Sequence, residues 1–154
     1  MKVEIEIAAP PSLVFAFIME TEKIQSWYPA FLGYILPDGF DISKPTLGVK
    51  YKQQYRYGEN SVLEYELEML HYEKDKDIRF KFNECGGNHS SINHYQFLPC
   101  EIGTRFVEET KIKYPTFLQQ VIFWFQRGKF QRDWKTSLMK LKEVVEKEYN
   151  PNNP

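Results

Sequence analysis

The sequence lacks most of the devices that stabilise or arm a small chain from outside its core. Two cysteines, Cys85 and Cys100, are present in 154 residues. They flank a segment, Ser91–Leu98, that reads as a strand. At about 3.3 Å per residue its ends lie too far apart for a disulfide, which suits a reducing compartment. Histidine is scarce, at three residues. Cys85, His89 and His94 match no common zinc spacing and have no evident fourth ligand, so no metal is expected. There is no Gly-x-Ser-x-Gly elbow, no base arranged beside Cys85 and no glycine-rich phosphate loop before a helix. No charge of one sign dominates: the net charge is −1, which argues against broad nucleic-acid binding, where a basic field supplies most of the affinity. No apolar run approaches the roughly 18 residues of a transmembrane helix. Glu4 and Glu6 interrupt any apolar core at the start, so no secretory signal is read there. The expected location is cytoplasmic. With no internal repeat and no linker, the expectation is one domain over residues 1–149 and a polar tail over 150–154.

Aromatic residues are what the chain has in excess: 16% of the total, ten of them Tyr. Their placement follows the two-residue period of strands. Lys2 to Ile7 alternates, with Val3, Ile5 and Ile7 on one face. Val49 to Tyr57 puts Val49, Tyr51, Gln53, Tyr55 and Tyr57 on one face against Lys50, Lys52, Gln54 and Arg56. Val62 to His71 sets Leu63, Tyr65, Leu67 and Met69 against Glu64, Glu66 and Glu68. Asp77 to Asn83 sets Ile78, Phe80 and Phe82 against Arg79 and Lys81. Gly103 to Tyr114 sets Phe106, Glu108, Thr110 and Ile112 against Arg105, Glu109, Lys111 and Lys113. Three adjacent outward faces are thus basic, acidic and basic, which sets register between neighbours. Phe31 to Leu36 and Ser91 to Leu98 are strands of weaker pattern, and Asp38 to Gly48 is turn-rich. Pro10 and Pro11 open a dense apolar helix over Leu13–Met19, Thr21 caps a second short one through Trp27, and Pro29 stops it.

The last long stretch, Thr116 to Glu148, has the helical period. Trp134, Leu138, Leu141 and Val145 form a stripe between charged residues, and the helix would run roughly 45 Å. One strand, two short helices, about six strands joined by short turns and one long helix make an α+β chain, its antiparallel sheet curved around the helix.

The order of elements is that of the helix-grip fold. Val14-Phe15-Ala16-Phe17, Ile24-Gln25-Ser26-Trp27-Tyr28-Pro29, Tyr95-Gln96-Phe97-Leu98-Pro99, Gly103-Thr104-Arg105-Phe106 and Ser137-Leu138-Met139-Lys140-Leu141-Lys142 resemble the polyketide cyclase/dehydrase and lipid-transport branch of the START-like, Bet v 1-like superfamily (SRPBCC). The resemblance implies a curved seven-stranded antiparallel sheet gripping the C-terminal helix, two short helices after the first strand, and a cavity between sheet and helix. Members of that superfamily bind lipids, quinones, sterols or polyketides. They share no universal catalytic residue and imply no cofactor.

The expected ligand-binding residues are Tyr51, Gln53, Tyr55, Tyr65, Leu67, Phe80, Phe82, Tyr95, Phe97, Phe106, Glu108, Thr110, Phe117, Val121 and Phe125. Gln53, Glu108 and Thr110 share otherwise apolar faces, where solid packing would strand polar groups at about 1–3 kcal/mol each. Glu108 is the candidate acid–base residue. With no Lys or Arg on the inner faces it should be held partly neutral near pH 7 and bonded to a Tyr, a water or the ligand. The leading expectation is binding or transport of a hydrophobic small molecule. The alternatives are a cyclase, dehydratase or hydrolase in the same cavity, with a Tyr as proton donor, or a co-chaperone-like interaction module with a filled interior. Val121-Ile122-Phe123-Trp124-Phe125 is apolar all round and precedes Arg127, Lys129, Arg132 and Lys135. It is either a transient membrane or partner contact at the cavity mouth, or, as the plainer expectation, a segment covered by loops and the first helix.

Overall fold

The computed structural model describes residues 1–42, 46–58, 61–87 and 89–149. The elements run β1 (Lys2–Ile7), α1 (Pro11–Met19), α2 (Thr21–Trp27), β2 (Phe31–Ile35), β3 (Lys50–Tyr57), β4 (Ser61–Glu73), β5 (Asp77–Glu84), β6 (Ser90–Cys100), β7 (Gly103–Lys113) and α3 (Phe117–Glu148). Seven strands form one antiparallel sheet in the order β1-β7-β6-β5-β4-β3-β2. The sheet curls into a half-barrel around α3, the α+β helix-grip architecture expected from the alternation and the element order. The tail expected over 150–154 lies outside the described residues, as do 43–45 of the turn-rich loop and Asn88 of the turn after β5.

Consecutive strands pair as hairpins, and β1 closes on β7, with Ile5 opposite Phe106 and Ile7 opposite Thr104. The charge pattern works as read. Lys50 and Lys52 on β3 reach Glu66 and Glu64 on β4, both at 2.9 Å, one step diagonal to their register partners. These pairs are exposed and matter for register more than for stability. A bulge between Met69 and His71 re-aims the end of β4, so that Tyr72 pairs with the buried Ile78.

The closed core lies under the C-terminal half of α3. Leu138, Leu141 and Val145 are fully buried among Ile7, Val14, Phe17, Leu67, Met69, Ile78, Phe97 and Phe106. Polar contacts fix this half to β1: Lys142 Nζ donates to the Glu6 carbonyl at 2.8 Å, and Glu146 Oε1 accepts from the Ala8 amide at 2.7 Å. The turn between β1 and α1 is held from below by β7. Gly103 has φ +144°, and a Cβ there would stand 2.6 Å from both Ala9 N and Ile7 O. Next to it the buried Thr104 donates to the Ala9 carbonyl at 2.7 Å. Only glycine lets the two backbones approach so closely.

The structure revises four expectations. Thr21 is the first helical residue of α2, and Glu20 is its N-cap without a side-chain bond. Tyr57, placed on the inner face by alternation, does border the cavity described below but is largely exposed, because β3 ends there at its hairpin with β4. Trp134 is half-buried, because it stands at the wall of a cavity, as described below. Finally, the apolar run in the N-terminal half of α3 is covered on one side only, where Phe123 packs on Tyr114. The helix opens on a capping box, with Gln119 N donating to Thr116 Oγ1 and Thr116 N to Gln119 Oε1, both at 3.3 Å. Its first turns then run past the packed region, and no residue of the helix before Leu138 is fully buried. Phe117, Trp124 and Phe125 are 80%, 65% and 74% exposed.

Candidate functional site

Because α3 packs tightly only in its second half, the concave face of the sheet is left open at one end. There a chamber of about 500 Å³ opens, walled by Tyr55, Leu63, Tyr65, Phe82, Ser91, Asn93, Tyr95, Glu108 and Thr110 of β3 to β7. Tyr28, after α2, Phe130, Asp133, Trp134 and Ser137 of α3, and Met1, Arg56, Tyr57 and His89 complete it. A smaller pocket of about 60 Å³ lies deeper, against Ile18, Ile24, Trp27, Phe31, Tyr34, Gln53, Phe80, Phe106 and Leu138. Tyr28, Tyr55, Phe82, Tyr95, Glu108 and Trp134 line both and form the constriction between them.

Aromatic rings hold that constriction in place. Tyr28 packs edge-on against Tyr55 and Trp134 with centroids 5.9 and 5.8 Å apart. Tyr55 also meets Tyr65 at 5.6 Å, and Tyr95 meets Phe80 and Phe106 at 5.8 Å. Edge-to-face contacts of this kind fix orientation as well as burying area. The Tyr hydroxyls supply the polar points. Tyr55 donates to Gln53 Oε1 at 2.6 Å. Burial pushes the phenol pKa of Tyr55 and Tyr95 well above the ordinary range, and that of Tyr65 to about 12. All three therefore stay neutral donors across physiological pH.

Glu108 stands in the middle of this aromatic wall and is 5% exposed. Trp134 Nε1 donates to its Oε2 at 2.6 Å, and Thr110 Oγ1 donates to its Oε1 at 3.1 Å. Burial raises its carboxyl pKa to about 7. The two hydrogen bonds and the positive charge of the Met1 amino group pull the other way without cancelling that rise. The partners differ from those expected. A Trp N–H and a neighbouring hydroxyl take the place of a Tyr, and the nearby cation is the Met1 amino group, which bonds the Thr110 carbonyl at 2.5 Å. The group is thus poised to hold or release a proton near neutral pH, at the aromatic constriction of the cavity.

Known proteins share this architecture. Residues 8–146 match the model of the Activator of Hsp90 ATPase homolog 1-like protein family. The chain belongs to this family. The family lies within the START-like, Bet v 1-like superfamily that the sequence resembles. No curated protein matches the sequence. Among solved structures, protein MLL2253 from Mesorhizobium loti is 18% identical, with a TM-score of 0.69 and coverage of 97% of this chain and 98% of that one. A Rhodobacter sphaeroides protein is 14% identical, with a TM-score of 0.74 and coverage of 96% and 92%. DynU16, from the dynemicin biosynthetic locus, is 12% identical, with a TM-score of 0.68, and the match covers 95% of this chain and 46% of that one. At these identities the likeness is one of fold. The superfamily fold is one that binds small molecules and hosts polyketide-cyclase-like roles.

In this chain the expected ligand-binding residues fall into three groups. Gln53, Tyr55, Tyr65, Phe80, Phe82, Tyr95, Phe106, Glu108 and Thr110 come together around the chamber and the deeper pocket. Tyr51, Leu67 and Phe97 share those faces but sit in the closed core, 3% exposed or less; Tyr51 stacks on Phe40 at 5.4 Å. Phe117, Val121 and Phe125 lie outside the chamber, because α3 has not yet met the sheet at those positions. Cys85, His89 and His94 do not converge: His89 pairs with Glu84 at 3.1 Å and His94 with Asp77 at 2.6 Å. Among the described residues no group of three or more metal-ligating side chains exists. Sequence reasoning missed Tyr28, Phe130 and the polar wall residues Ser91, Asn93, Asp133 and Ser137, and it placed Arg56, which borders the chamber at the end of β3, on the outward face. It read Trp134 as core filler, and no local signal marks an indole N–H on an inward helix position as the partner of a carboxylate on a distant strand.

Proposed function

We propose that this protein binds a hydrophobic small molecule of the lipid, quinone, sterol or aromatic polyketide kind, with a polar oxygen directed at Glu108. What supports the reading is the aromatic chamber of about 500 Å³ that narrows onto one buried carboxyl. Its volume lies within the roughly 300–1,000 Å³ of small-molecule pockets, and its aromatic walls, with polar side chains such as Asn93, Glu108 and Thr110 among them, combine apolar surface with orienting groups as such pockets do. A protonated Glu108 offers an O–H to a carbonyl or hydroxyl of the ligand; the neutral Tyr hydroxyls add further donors. An interaction module with a filled interior would have no use for such a space. The two free cysteines, Cys85 and Cys100, favour a reducing, cytoplasmic setting.

The test is a thermal-shift screen with lipids, quinones, sterols and flavonoid-like polyketides. A true ligand raises the melting temperature progressively with the logarithm of its concentration, equivalent to about 2.7 kcal/mol at a hundredfold excess over Kd. Ser91→Trp, which fills the chamber, should abolish the shift. A panel in which nothing shifts the melt would sink the reading.

A second reading rests on the Glu108 carboxyl pKa of about 7: such a group can serve as general acid or base in a cyclisation, dehydration or hydrolysis. Turnover of a bound ligand that disappears in Glu108→Gln, with binding retained, would favour it over simple carriage.

A further inference from the structure

The first turns of α3 form a surface that nothing in the described fold uses. At about 100° per residue, Phe117, Leu118, Val121, Ile122, Trp124 and Phe125 occupy one arc of roughly 160° on the helix. Of these, Leu118 and Ile122 are 68% and 47% exposed, beside the still more open Phe117, Trp124 and Phe125. Apolar rings displayed to this degree on one face mark a contact surface. The opposite side of the same turns is anchored to the body: Phe123 packs on Tyr114, just after β7, at 5.2 Å. The arc is therefore held outward.

Charge points to the occupant. From Thr110 to Arg132 the chain has five cations, Lys111, Lys113, Arg127, Lys129 and Arg132, and no carboxylate, in a protein whose net charge is −1. By helical position Lys129 and Arg132 continue the apolar arc on the next turns rather than lying opposite to it. Long cationic side chains beside an apolar surface can keep their heads in water or at headgroups while their stems extend that surface.

We propose that this face of α3 docks on the surface of an anionic lipid bilayer, with the aromatic and aliphatic side chains in the acyl boundary and Lys129 and Arg132 at the headgroups. A second copy of the chain fits less well. An isologous dimer would set the same patch, and its cations, against itself. The apolar side chains also stand on a convex helix rather than in a groove, a shape that suits insertion into a soft phase. The inference stands on the helix face and its charge, and does not depend on what the chamber holds.

The experiment is co-sedimentation of the full chain with vesicles of phosphatidylcholine alone and of phosphatidylcholine with phosphatidylserine, at low and high salt. Binding is expected with the anionic vesicles, weakening as salt rises. Trp124→Ser with Phe125→Ser should lower the partition coefficient at least about tenfold, and Lys129→Gln or Arg132→Gln about fivefold each. These positions are exposed in the free protein, so the variants should melt as wild type does and keep any chamber-ligand shift. That separates failure of docking from failure of the cavity reading. Quenching of tryptophan fluorescence by brominated lipid should vanish in Trp124→Phe, while that variant still sediments with the vesicles. No binding to anionic vesicles, or binding that both sets of substitutions leave unchanged, overturns the proposal. So does a dimer in sedimentation velocity that Trp124→Ser with Phe125→Ser dissolves, since the face would then be covered by a second copy.

Discussion

Replacing Glu108 by glutamine tests the chemistry of the chamber most directly. The folded carboxyl has a pKa of about 7 against 4.5 for the free group. Because the folded value is the higher, the folded state keeps its proton longer than the unfolded chain. The stability contributed by that proton is complete below about pH 4.5 and drains away as pH rises through 7. Over the whole window the loss is about 3 kcal/mol, at about 1.4 kcal/mol per pH unit. Between pH 5 and pH 8 it is about 2.5 kcal/mol, since part of the unfolded ensemble has already ionised at pH 5. The substituted amide has no proton to lose, and its oxygen can still accept from Trp134 Nε1. Every other titrating group is common to both proteins, so the difference between them isolates this site. Urea denaturation of wild type and Glu108→Gln at pH 5 and pH 8 should show the mutant gaining about 2.5 kcal/mol relative to wild type as pH rises. A mutant that loses ground at pH 8 would mean that Glu108 is ionised and paired with a buried cation, and the proposed role of a neutral, hydrogen-bonding acid would fall with it.

Three further outcomes follow from the same structure. Trp134→Phe removes a hydrogen bond that favours the charged carboxylate, so the Glu108 titration, followed by carboxyl carbon NMR, should move above 7; an unchanged midpoint would mean that this bond is not made in solution. Leu138→Ala, at a fully buried position, should cost about 2–5 kcal/mol in chemical denaturation, whereas Met139→Ala on the exposed side of the same helix should cost under about 0.5 kcal/mol. Gly103→Ala should destabilise by on the order of 2 kcal/mol or more, because its Cβ would meet backbone atoms of Ile7 and Ala9 that cannot move independently; a neutral change in the melt would contradict the close approach of β1 and β7 at this point.

The alternation of Tyr51, Gln53 and Tyr55, of Leu63, Tyr65 and Leu67, and of Phe106, Glu108 and Thr110 was enough by itself to define the strands, their inward faces and the oddity of a carboxylate among apolar neighbours. It could do so because a strand's two-residue period is a local property, written in the order of side chains. The helical stripe through Leu138, Leu141 and Val145 was legible for the same reason. Which inward residues face open space was not. Tyr51 and Tyr55 obey one pattern, yet one is sealed in the core and the other walls a chamber, because that depends on where along the sheet α3 makes contact. The partner of Glu108 was equally out of reach, since Trp134 lies 26 positions away and only the crossing of α3 over β7 brings its N–H to the carboxylate. The exposure of Phe117, Trp124 and Phe125 was decided last and least locally. An apolar helical segment is buried only if some other element is long enough to cover it, and here the sheet and the two short helices end before α3 begins to pack.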